Sequence, residues 1–149
     1  MTAMPCLVAS FDRRRGSALV ELALISPLLL VLLAGVLNYG FALRTAAAVT
    51  TAAHAGAQYG SMSTANANNS AGIRAAALNA EPNVSGMTVS SAVSCECPGG
   101  TAVNCSGSCT GNMLMYVQVT ASATAATFFS YSGLPFTGTV TSTATMRAQ

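Results

Sequence analysis

The chain has 149 residues, 52% of them hydrophobic and only 7% charged, with a single histidine and no tryptophan. Its net charge of +2 comes from the N-terminal side, because from Ser17 onward Arg44, Arg74 and Arg147 are balanced by Glu21, Glu81 and Glu96. A nucleic-acid partner needs clustered cations to neutralise phosphates, and that part of the chain has none. Acid–base catalysis needs positioned titratable groups, and after Arg44 the sequence has one histidine, His54, two acids far apart, Glu81 and Glu96, and no Asp or Lys. We therefore expect no enzyme activity, no small-molecule substrate, no metal and no cofactor.

Residues 1–16 are mixed in character and end in Asp12-Arg13-Arg14-Arg15-Gly16. A hydrophobic stretch follows, and from Leu22 to Leu43 it carries no charge before Arg44 closes it. About 20 residues at roughly 1.5 Å each cross a hydrocarbon core, so residues 17–43 are read as a transmembrane helix. The three arginines ahead of it orient the N-terminus to the cytoplasm, which places residues 44–149 on the other side. A cleavable secretory signal competes with this reading, but its apolar core would be shorter, about 7–15 residues. Within the run, Pro27 removes a backbone donor. Glu21 is an acid at the edge of an apolar segment, where it either sits at headgroup level or requires a cation from a partner.

Beyond Arg44 the alanine-rich composition continues the helix to about Tyr59, since alanine is the best helix former. Val49, Ala52, Ala53, Gly56 and Tyr59 recur at helical spacing and form its packing face. His54 is read as a packed or surface residue. The Ser/Thr/Asn-rich stretch 61–70 reads as a linker. Ser70 is expected to cap a short helix over 71–79, ended by Pro82.

The period then changes to two. Met87, Val89 and Val93, then Met113, Met115, Val117 and Val119, then Val140, Ala144 and Met146 mark three strands with one apolar face each. The aromatic residues Phe128, Phe129, Tyr131 and Phe136 belong to the connection before the last strand, where they pack on the sheet or face partners. The fold class expected is α+β, with the long helix packed on a small antiparallel sheet.

Cys6 stands apart, in residues 1–16. Cys95, Cys97, Cys105 and Cys109 cluster in a Gly/Ser/Asn-rich insert, 94–110. An even number of cysteines in a short exported region favours disulfides. Four cysteines permit three pairings; if the insert is a hairpin, antiparallel geometry nests Cys95 with Cys109 and Cys97 with Cys105. A zinc site is the rival, although the spacing lacks a C-x2-C pair.

The run Arg-Arg-Arg-Gly16, then Ser-Ala-Leu-Val-Glu21, then an apolar helix containing Pro27 resembles a prepilin-type leader and, more closely, the TadE-like family of tight-adherence (Flp-type) pilus assembly proteins. The stretches 52–60, 73–79 and 142–148 are similar to later parts of that family. Leu22 and Gln58 depart from it, standing where an aromatic and an arginine are common. The resemblance implies a pilin-like arrangement and cleavage between Gly16 and Ser17 by a prepilin peptidase, leaving Glu21 fifth in the mature chain. It also implies that Glu21 pairs with an N-terminal amine during assembly, alongside other pilin-like subunits and the pilus assembly machinery. The chain would then divide into a leader 1–16, a transmembrane helix 17–43 and an exported domain 44–149. It would sit in a bacterial inner membrane, single-pass with a periplasmic C-terminal domain, or enter the pilus. It would act as a minor pseudopilin or assembly component in pilus biogenesis and surface adhesion. The alternative is an unprocessed, signal-anchored binding module whose disulfide-bonded loop recognises a partner.

Overall fold

The computed structural model describes residues 13–125, 127 and 138–149, with side chains from residue 18 onward. Phe128, Phe129, Tyr131 and Phe136 lie outside the described residues. The chain divides into two compact units, Met1–Val36 and Leu37–Gln149.

Helix α1 runs Arg13–Ser61, two residues beyond the expected end at Tyr59. It is long and apolar enough to cross a membrane. In the first unit its leucines stand outside any core, with Leu24 74% and Leu28 63% exposed. Such a surface is stable only against lipid or other apolar helices. Pro27 has no N–H for the Ala23 carbonyl one turn earlier, and the Ser26 hydroxyl donates to that carbonyl at 3.4 Å instead.

In the second unit, Val49, Ala52, Ala53 and Ala57 of α1 are fully buried in one core with Ile73, Ala77, Val117, Val119, Ala121 and Ala144. Most of these side chains are small, so the elements must approach closely. Gly56 and Gly60, one turn apart on α1, provide the approach. A Cβ on Gly56 would lie 3.1 Å from Val119 Cγ1, and one on Gly60 would lie 2.8 Å from Val117 Cγ1. Ordinary carbon contacts are about 3.5–4.0 Å, so the helix could not sit this low on the sheet with larger residues there.

The segment expected to be a linker contains a short helix α2, Thr64–Ala67. Its cap explains it: Ser63 Oγ accepts from the Asn66 N–H at 3.1 Å. Helix α3 spans Ser70–Ala80, and its cap is Asn69 rather than Ser70, with Asn69 Oδ1 accepting from the Gly72 N–H at 2.9 Å. The α3 C-cap is Glu81, immediately before Pro82.

Four strands follow: β1 Thr88–Cys97, β2 Thr101–Val103, β3 Leu114–Thr124 and β4 Thr139–Arg147. They form one antiparallel sheet in the order β2-β1-β3-β4. The three expected strands are present and the architecture is α+β, and the sheet gains β2 from within the cysteine-bearing insert. A three-residue strand is too short to display a period. The last residues close the unit against α1: the Ala148 N–H donates to the Met115 carbonyl at 2.8 Å and the Gln149 N–H to the Ser61 carbonyl at 3.1 Å.

Candidate functional site

Two groups of residues carry the chemistry singled out by the sequence, and each belongs to a different unit. The first is on α1. Gly16 and Ser17 fall within the helical span, and Glu21 lies exposed one turn beyond Ser17. From Ala18 the same helix carries the exposed leucines, which makes Glu21 the acid at the start of an otherwise apolar surface.

The second group is the cysteine cluster. Cys95 and Cys97 lie in β1, two residues apart and therefore on the same face. Pro98, Gly99 and Gly100 turn the chain straight into β2, with Gly99 at φ 111° and Gly100 at φ 84°, values that favour glycine. Cys95 then stands opposite Val103 and Cys97 opposite Thr101. The hairpin therefore closes before either later cysteine is reached. Cys105 lies just past β2, and Cys109 lies on the return toward β3.

The structure joins Cys95 to Cys105 and Cys97 to Cys109, with Cα separations of 5.1 and 5.5 Å. This corrects the nested pairing expected from the sequence. Nested pairing requires a hairpin turn midway between Cys97 and Cys105, whereas the two glycines draw the turn to the residues directly after Cys97. The two bridges cross in sequence and tie the return segment to the end of β1. Cys95 is 1% exposed and belongs to the core, while Cys97, Cys105 and Cys109 are half-buried. Sulfurs bonded in pairs are not thiolate ligands, and no cluster able to hold a metal occurs among the described residues. His54 is exposed on α1.

Sequence reasoning placed Tyr59 on the packing face of α1 without identifying what it packs on, and it missed the part played by Ser26. Tyr59 lies over Gly72, where an added Cβ would come within 2.6 Å of the Tyr59 hydroxyl, and this contact sets α1 against the start of α3. Ser26 compensates for Pro27, a role visible in the sequence only as the adjacency of a hydroxyl and a proline.

Residues 16–58 match the TadE-like protein family. The matched TadE-like segment opens at Gly16, takes in Glu21 and Pro27, and ends one residue before Tyr59 on the packing face of α1. It excludes the sheet and the cysteine cluster. No curated protein and no solved structure matches the chain.

Proposed function

We propose that this protein is a minor pseudopilin or assembly component of a tight-adherence pilus. The TadE-like match supports an association with that pilus machinery and with a membrane. The observation that carries the finer reading is where the match begins: at Gly16, with Ser17 next and Glu21 fifth after the glycine. In this reading a prepilin peptidase cuts after Gly16 on the cytoplasmic side and leaves Ser17 with a free ammonium. Residues 17–43 hold the subunit in the inner membrane, and residues 44–149 stand in the periplasm.

Glu21 then acts as the assembly residue. In an apolar medium a carboxylate gains strongly from a nearby ammonium and is costly without one. Pairing between Glu21 and the Ser17 amine, its own or a neighbour's, sets the register of adjacent helices. The exposed leucines of α1 supply the surface by which those helices meet. The sheet domain, stapled by its two disulfides, caps, initiates or decorates the fibre and makes the contact with a surface.

N-terminal sequencing of the protein purified from membranes tests this reading. A chain starting at Ser17 is the expected result. An intact Met1, or a start beyond Ala34, overturns it in favour of a signal-anchored or secreted binding module.

A further inference from the structure

The C-terminal unit has a cleft of about 470 Å³ lined by one face of α1, by the chain that follows α3 and by Thr124 at the end of β3. Its α1 side includes Arg44, Ala48 and Thr51, and its other side includes Glu81, Asn83 and Ser85. Arg44 directly follows Leu43, the last residue of the apolar run. The headgroup layer on each side of a bilayer is about 5–8 Å deep, and Arg44 to Thr51 rises about 10 Å along a helix. If residues 17–43 span the membrane, the cleft therefore opens at headgroup level and continues just above it.

The charges in the cleft are unusual for this chain, which has few. A cation and an anion line the same space, yet no ion pair joins Arg44 to Glu81 among the described residues. Such a cleft matches a ligand that carries both signs. Asn83 and Ser85 add neutral donors.

We infer that this cleft binds the headgroup of a zwitterionic phospholipid bearing a primary ammonium, with its phosphate on Arg44 and its ammonium on Glu81. The inference rests on the membrane-spanning reading of residues 17–43. Glu81 disfavours an anionic lipid, whose headgroup would meet a carboxylate with no cation to offer it. Free phosphate satisfies Arg44 and leaves Glu81 unmatched. Bound lipid at this position would fix the height at which the C-terminal unit stands over the bilayer.

The test uses the full chain in detergent micelles. Phosphatidylethanolamine, phosphatidylglycerol, phosphatidylcholine and inorganic phosphate are added in separate arms, and retained lipid is counted by native mass spectrometry. The expected result is retention of phosphatidylethanolamine about two- to fivefold above phosphatidylglycerol, the range set by exposed charge pairs. Glu81→Gln should bring that ratio to about one, and Arg44→Gln should lower retention of both lipids. Phosphatidylcholine, which has no ammonium N–H to donate, should be held less well, a comparison that needs no variant. Equal retention of the two lipids by the unaltered chain, an unchanged ratio in Glu81→Gln, or displacement of lipid by inorganic phosphate overturns the proposal. Carbonate extraction of native membranes separates the failures. A chain released by carbonate removes the membrane reading and this proposal together, whereas a chain that stays embedded without lipid preference removes only the cleft.

Discussion

Gly60 on α1 lies against Val117 on β3, so close that a methyl group added to the glycine would stand 2.8 Å from Val117 Cγ1. The contact decides how low the helix rides on the sheet. Gly60→Ala gains about 1 kcal/mol of helix propensity, but it requires a backbone or strand shift in a packed core that costs about 1–3 kcal/mol. We expect Gly60→Ala to lower the stability of the C-terminal unit. Gly56→Ala, where the nearest atom is 3.1 Å away, should be close to neutral. Thermal unfolding of both variants, followed by circular dichroism, checks the order, and a Gly56 variant less stable than the Gly60 variant contradicts it.

The ring of Tyr59 over Gly72 makes a second such prediction. Gly72→Ala must displace the Tyr59 ring, since both the hydroxyl and Cε1 lie within 2.7 Å of the new methyl. Tyr59→Phe removes only a long contact from Asn69 Nδ2 at 3.5 Å and should cost less than about 0.5 kcal/mol. Combining Tyr59→Ala with Gly72→Ala should recover part of the Gly72→Ala loss. Additive losses in that double-mutant cycle would show that the two residues do not meet.

The crossed bridges predict an uneven response to cysteine removal. Loops of this length contribute about 2–3 kcal/mol each in the chain-entropy picture. Cys97→Ser with Cys109→Ser loses that constraint. Cys95→Ser with Cys105→Ser loses a similar constraint and also places a hydroxyl where Cys95 is 1% exposed. We expect the second pair of substitutions to be the more damaging in denaturant titrations. Non-reducing peptide mapping after partial acid hydrolysis should recover Cys95 joined to Cys105 and Cys97 joined to Cys109. Recovery of Cys95 joined to Cys109 would falsify the pairing.

Within the apolar half of α1, the Ser26 hydroxyl serves a carbonyl that Pro27 leaves without its helical donor. Ser26→Ala should weaken the helix in micelles by about 0.6 kcal/mol, the typical worth of a hydrogen bond between membrane helices. In a Pro27→Ala background the backbone N–H is restored, and the same serine substitution should then have no effect. Equal effects in both backgrounds, measured by unfolding in mixed micelles, would remove the compensation.

Glu21 is the residue on which the proposed assembly role turns. Glu21→Gln and Glu21→Leu should each lower pilus yield by about tenfold, equivalent to ~1.4 kcal/mol of lost pairing, while leaving membrane insertion intact. Electron microscopy of sheared fibres and membrane fractionation measure the two quantities. Normal pili from both variants would end the idea.

The sequence by itself determined the long helix, the short helix near residue 70, the three longer strands and the one specific motif, Gly16 to Glu21. Each of these is local: a period of 3.6 or 2, an uninterrupted apolar run, or a charge placed against it. The motif was legible because an acid in an apolar segment has few bland explanations. Tertiary structure alone decided what depends on neighbours distant in the chain. The order β2-β1-β3-β4 and the seating of Gly56 and Gly60 on Val119 and Val117 follow from packing, which no period encodes. The cysteines show the division most plainly. Their number and close spacing announced disulfides, but the partners were set by where Gly99 and Gly100 turn the strand. The turn comes directly after Cys97, so the later cysteines arrive in crossed rather than nested order.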